Sequence, residues 1–169
     1  MRRPRRAAAS AGRIQLLVLD VDGVLTDGRL YFGPRGELAK AFHVRDGHGI
    51  RALQRAGVKV AVISGRRSRA VAHRCRELGI SRIVQGAEDK LAALERLCAS
   101  LDLPLSACAC VGDDEPDLPL MQSVGLAFAV ADAHPLARAA AHRRTRLGGG
   151  RGAVREVCDR LLAARGRSR

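Results

Sequence analysis

With 169 residues, 47% of them apolar, the chain is long enough for one domain with its own core and too short for two. Aromatic residues make up only 2%, so the core must be aliphatic and base-stacking platforms for nucleic acid are excluded. The net charge of +13 invites a nucleic-acid reading, but 14 of the 30 basic residues lie in residues 1–13 and 142–169, leaving a body close to neutral.

The first element in chain order is an apolar run, Ile14–Val21, that closes on Asp20 and Asp22. Gly28–Val44 reads as strand, turn, strand, with Gly33-Pro34-Arg35-Gly36 suited to a β-turn. Helical stretches are predicted over Gly47–Ala56, Arg66–Leu78, Asp89–Leu101 and Asp117–Val124. Between them fall buried-type strands: Val58–Ile63, Arg82–Gln85, Ala107–Val111 and Leu126–Val130. Their hydrophobicity is continuous rather than alternating, which implies cover on both faces. The predicted fold is therefore α/β: a Rossmann-like parallel sheet sandwiched by helices, with an inserted β-hairpin after strand one and no cap domain. Residues 14–164 form this domain, with the hairpin at 28–44 and a glycine-rich segment at 148–152 before a last helix, Ala153–Leu162. Residues 1–13 and 165–169 read as flexible basic tails.

The five cysteines form no C-x-x-C pair, and Cys108 and Cys110 share one face of a strand, so free thiols in a reducing cytoplasm are expected. No run approaches the length of a membrane span. No long apolar segment follows the Arg-rich start before Asp20, which argues against a secretory leader and leaves an organelle transit peptide as the alternative.

Open parallel sheets bind ligands beyond the carboxyl ends of their strands. Those ends carry Asp20 and Asp22, Ser64, and Asp113 and Asp114, while Lys90 starts the helix after the third strand. A lone acid at a strand end is usually a cap. Acids, a hydroxyl and a cation converging from four places point to phosphoryl transfer. Carboxylates from two strands can hold Mg²⁺, and Lys90 can neutralise phosphoryl oxygens. Ser64 can hydrogen-bond those oxygens, Asp20 can attack in line, and Asp22 can act as acid and base. His43, His48, His73, His134 and His142 show no ligand spacing, so a transition-metal site is not expected. Asp27 and Asp46 read equally well as turn or cap residues.

These residues resemble the haloacid dehalogenase superfamily of phosphatases. Its first motif is matched by Asp20-Val21-Asp22-Gly23-Val24, its second by Ser64, its third by Lys90, and its fourth by Gly112-Asp113-Asp114 with Asp117. DVDGVLTDG (20–28), AFHVRDGHGI (41–50), ISGR (63–66), RCRELGI (74–80), VADAHP (130–135) and GGRGAVREVCD (149–159) are similar to the 3-deoxy-D-manno-octulosonate 8-phosphate phosphatases, over about residues 14–164. The resemblance implies an Asp20 nucleophile and an Asp22 acid/base. It places Mg²⁺ on the Asp20 and Asp113 carboxylates and the Asp22 backbone carbonyl, with Asp114 and Asp117 in support.

It also implies a cytoplasmic homotetramer, joined through the hairpin, with active sites completed across subunits and a product destined for lipopolysaccharide. In that family the glycine-rich tail can reach a neighbouring site, which makes Arg151 a candidate substrate contact and favours the eight-carbon substrate. Arg66 and Arg74 are candidate carboxylate or phosphate binders. Glu115-Pro116 departs from the family pattern, and an extra carboxylate there either weakens phosphate binding or faces solvent.

Three other readings compete. A response-regulator receiver would place its phosphorylated Asp on a middle strand, where this chain has none. A basic nucleic-acid binder would show steep salt dependence. A phosphatase of a nine-carbon 2-keto-3-deoxy sugar acid 9-phosphate shares the same motifs.

Overall fold

The computed structural model describes residues 9–166. Eight strands and six α-helices follow in chain order: β1 (Leu16–Leu19), β2 (Tyr31–Gly33), β3 (Gly36–Ala39), α1 (Val44–Arg55), β4 (Lys59–Ser64), α2 (Arg69–Glu77), β5 (Arg82–Gln85), α3 (Lys90–Ser100), β6 (Cys108–Gly112), α4 (Leu118–Ser123), β7 (Leu126–Ala129), α5 (Pro135–Ala140), β8 (Arg143–Arg144) and α6 (Ala153–Gly166).

Six strands form one sheet in the order β5-β4-β1-β6-β7-β8, every neighbouring pair parallel. The chain runs outward from β1 through β4 to β5, then returns to β6 on the other side. β1 is therefore flanked by strands whose connections leave in opposite directions, and a crevice opens beyond its carboxyl end. All four residues of β1, all five of β6 and all four of β7 are buried, as continuous apolar runs require. The core is aliphatic, and Phe128 is its largest side chain. β2 and β3 pair only with each other, antiparallel, as the expected hairpin.

Boundaries differ from expectation at helix starts. α1 begins at Val44 rather than Gly47 because His43 takes the N-cap, its Nδ1 accepting from the Arg45 amide at 3.2 Å. α2 begins at Arg69 rather than Arg66 because Ser68 Oγ accepts from the Val71 amide. α5 and β8 have no counterpart in the sequence reading. The expected N-terminal tail is partly structured: the Ala9 amide donates to the Gly125 carbonyl at 2.8 Å, and residues 11–13 form a 3₁₀ turn against α6. Residues 1–8 and 167–169 of the expected tails lie outside the described residues. All five cysteines are free and buried, and burial pushes their thiols up, Cys75 to about 11 and Cys158 to about 12.

Candidate active site

Asp20 follows β1 directly and is fixed by its backbone, whose amide donates to the Val111 carbonyl of β6 at 3.3 Å. The next residues coil into a single turn. The amides of Val24, Leu25 and Thr26 all donate to the Val21 carbonyl, at 3.2, 2.9 and 3.0 Å. Buried Thr26 closes the turn, its Oγ1 accepting from the amides of Gly23 and Gly28 at 3.3 and 3.2 Å. Gly23 sits at φ +91, and a Cβ there would meet Asp113 Oδ2 at 2.0 Å, so the site needs glycine on both counts.

Lys90, at the start of α3, reaches back to this turn. Its Nζ lies 2.9 Å from Asp20 Oδ1 and 2.7 Å from Asp117 Oδ1. Asp117 is buried, and its Oδ2 accepts from the amides of Asp113 and Asp114 at 3.0 and 3.4 Å. It therefore holds both the lysine and the loop after β6. Asp20, Asp113 and Asp117 each offer an oxygen within 4.8 Å of the others. Asp117 already serves Lys90 and two amides, which leaves Asp20 and Asp113 as the open carboxylates of the cluster.

The electrostatics fit a cation. Burial and repulsion by Asp117 raise Asp20 to about 6, against the pull of Lys90. Burial and repulsion by Asp20, Asp117 and Asp114 raise Asp113 to about 8. Burial alone would lower Lys90, but Asp20 and Asp117 outweigh it and the net shift is upward. Carboxylates driven toward protonation by burial and by neighbouring acids are relieved by a hard divalent ion with oxygen ligands, and the donor set suits Mg²⁺.

Ser64 closes β4 beside this cluster, buried, with its Oγ accepting from the Arg66 amide at 3.3 Å. Arg66 Nε stands 3.7 Å from Asp22 Oδ2, and its guanidinium lies 5.9 Å above the Phe32 ring. Lys40 of the hairpin contacts Asp22 Oδ1, a partner that sequence spacing did not reveal. Thr26 was missed likewise.

Asp114 is exposed and caps the 3₁₀ turn 115–117, its Oδ1 accepting from the Glu115 amide at 2.8 Å. Glu115 and Pro116 face solvent. Asp27 makes a turn contact with the Arg29 amide, and Asp46 accepts from the Arg155 amide at the start of α6, both structural roles.

Two predicted residues lie away from the cluster. Arg74 pairs with Glu77 at 2.9 Å and lines an adjoining cavity of about 430 Å³ with Lys40, Phe42, Val44, Ala70 and His73. Arg151 lines a different cavity, with Arg45, Arg146 and Arg155 among its walls. The glycine-rich segment packs on its own chain. Gly149 is buried, and the Gly150 amide donates to the Val24 carbonyl of the same chain at 2.9 Å. The glycine segment thus clasps the chain's own turn after Asp20, because only residues without a side chain can pass so close to Gly23 and Thr26.

A buried acid, a buried lysine, a hydroxyl and a carboxylate pair able to hold a metal, at the switch point of a parallel sheet, define a phosphoryl-transfer hydrolase. A family model for haloacid dehalogenase-like hydrolases matches residues 79–147. The 3-deoxy-D-manno-octulosonate 8-phosphate phosphatase of Escherichia coli (strain K12) is 52% identical over 159 residues, spanning 94% of this chain and 85% of that protein. The crystal structure of the Yersinia pestis phosphatase of the same name superposes with a TM-score of 0.91 at 51% identity, over 93% of this chain and 85% of that one. The Moraxella catarrhalis phosphatase, solved with magnesium, phosphate and KDO, matches with a TM-score of 0.91 at 44% identity, over 93% and 90% of the two chains. The chain belongs to the 3-deoxy-D-manno-octulosonate 8-phosphate phosphatase family of the haloacid dehalogenase superfamily, and it is a phosphatase.

Proposed function

We propose that the chain hydrolyses 3-deoxy-D-manno-octulosonate 8-phosphate to the free sugar acid and phosphate through an aspartyl-phosphate on Asp20. The observation that carries this reading is the buried Asp20 carboxylate held 2.9 Å from Lys90, with Asp22 two residues on. Mg²⁺, held by the Asp20 and Asp113 carboxylates and the Asp22 backbone carbonyl, would neutralise charge on the phosphoryl oxygens. Lys90 pins one Asp20 oxygen and presents the other for attack in line. Ser64 and Lys90 hydrogen-bond the equatorial oxygens. Asp22 protonates the departing sugar alcohol, then takes a proton from the water that cleaves the acyl-phosphate. Asp117 and Asp114 hold the loop that carries Asp113.

The adjoining cavity, with Arg74 in its wall, suits a sugar acid whose carboxylate needs a cation, and Arg66, beside Asp22, is placed for the phosphate. The product would feed lipopolysaccharide synthesis in the cytoplasm. The exposed apolar side chains of the hairpin and the residue after it, Leu30, Tyr31, Phe32, Leu38 and Val44, are the natural joint of a homotetramer that closes this cavity with a neighbour. Arg151 is a candidate substrate contact only across such a joint.

The test is kcat/KM on the eight- and nine-carbon phosphates, with and without Mg²⁺. The eight-carbon substrate should win and the activity should need the metal. Asp20→Asn should abolish turnover, and substantial residual activity would overturn the nucleophile assignment. A preference for the nine-carbon phosphate would move the substrate and leave the chemistry in place.

A further inference from the structure

We infer that Lys40 is a positioning residue for the acid/base carboxylate of Asp22, delivered to it by the inserted hairpin; this rests on the role proposed for Asp22. The Lys40 side chain is only 1% exposed, and an ammonium buried to that degree is unfavourable without a partner. Its partners are Asp22 Oδ1, in direct contact, and Glu37 Oε2 at 3.4 Å.

Glu37 is itself held. Its Oε1 accepts from the Ser68 hydroxyl at the N-cap of α2, and the Ser68 amide donates to Gln85 Oε1 of β5 at 2.7 Å. A polar chain therefore runs from the edge of the main sheet through α2 and the hairpin to the Asp22 carboxylate. The other Asp22 oxygen faces Arg66 at 3.7 Å, on a side chain that is 45% exposed. Among the described residues these two cations are the ion-pair partners of Asp22, and only Lys40 is enclosed.

A general acid acts only when its oxygen is held within hydrogen-bond reach of the leaving group. The loop that carries Asp22 fixes its backbone, while Lys40 fixes its side-chain rotation. The Lys40 side chain is 1% exposed against 8% for Lys90, which leaves Lys40 shielded from substrate, so it works through Asp22.

Leaving-group chemistry tests this directly. The sugar alcohol must be protonated as it leaves, whereas p-nitrophenolate departs without a proton. Lys40→Met should lower kcat/KM on the sugar-acid phosphate roughly 10- to 100-fold while p-nitrophenyl phosphate changes less than about threefold. Lys40→Arg should recover part of the loss. Asp22→Asn should give the same selectivity with a larger loss, and adding Lys40→Met to it should cost nothing more. Equal losses of Lys40→Met on both substrates, or a raised KM for the sugar acid at unchanged kcat, would place Lys40 in binding and overturn the inference. Equal losses of Asp22→Asn on both would instead overturn the acid role beneath it. If Lys40→Met does not fold, Glu37→Gln must show the same leaving-group selectivity in weaker form, and a selectivity-free effect refutes the proposal.

Discussion

Gly149→Ala places one methyl group where the structure has no room. A Cβ at residue 149 would stand 1.7 Å from the Gly23 carbonyl oxygen, 2.4 Å from its carbon and 2.9 Å from the Thr26 oxygen. The first of these is half the 3.4 Å at which ordinary contact begins. All three atoms are backbone, so no side chain can swing aside. The clasp must lift or the turn after Asp20 must shift by more than an ångström. Overpacking of this kind costs about 1–3 kcal/mol, and losing the Gly150–Val24 hydrogen bond adds about 1 kcal/mol. A loss of about 2–4 kcal/mol is a large part of a typical stability of about 5–15 kcal/mol. Because Gly23 adjoins Asp22, the displacement also reaches the carboxylate proposed as acid/base, and a 1 Å misplacement there costs roughly 100-fold in rate. Urea unfolding and kcat/KM should both fall, with Gly166→Ala, whose Cβ meets nothing within 4 Å, as the neutral control. A Gly149→Ala protein within about 1 kcal/mol of the parent and within threefold of its activity would refute the clasp as described.

Lys90→Met strands two buried carboxylates and should cost about 3–5 kcal/mol in metal-free protein at neutral pH, with kcat reduced at least 100-fold; denaturant melts and steady-state rates check both. Asp20 and Asp113 have folded pKa values raised above 3.8, to about 6 and about 8. Between pH 4 and 8 the folded metal-free protein therefore binds more protons than the unfolded chain, and its stability must fall as pH rises through that window. Tm measured in EDTA should drop accordingly, with added Mg²⁺ restoring more at pH 8 than at pH 5; a rising metal-free curve would contradict the clustering of acids. Phe32 and Leu38 are 60% and 74% exposed, and replacing both with Ser should reduce the particle mass seen by light scattering without unfolding the chain; unchanged mass would remove the hairpin from the assembly.

The strand ends were legible because their chemistry is local. An apolar run that stops at Asp20-Val21-Asp22 or at Gly112-Asp113-Asp114 announces a buried strand and an acid beyond it, and Lys90 follows its own N-cap, Asp89. The convergence of these ends followed from the parallel sheet. Lys40 was not legible, because nothing in eighteen residues of separation from Asp22 tells a buried ammonium from a solvated one. Thr26 was not singled out, since its hydroxyl acts only once the turn has coiled around it. β8 consists of two exposed arginines at a sheet edge and carries no hydrophobic signature. The glycine segment was visible as glycine, but composition cannot say whether freedom is used for motion or for close approach. Here Gly149 and Gly150 use it for approach.

That clasp ties the ends of the chain together in time as well as in space. The turn beside Asp20 is closed by Gly149 and Gly150, far along the chain, and the Arg165 side chain donates to the Ile14 carbonyl just before β1. Synthesis runs from the N-terminus, so the acids emerge long before the backbone that holds their turn in place. A nascent chain carries the Asp20 carboxylate without its frame until residues 149–165 have emerged to close it.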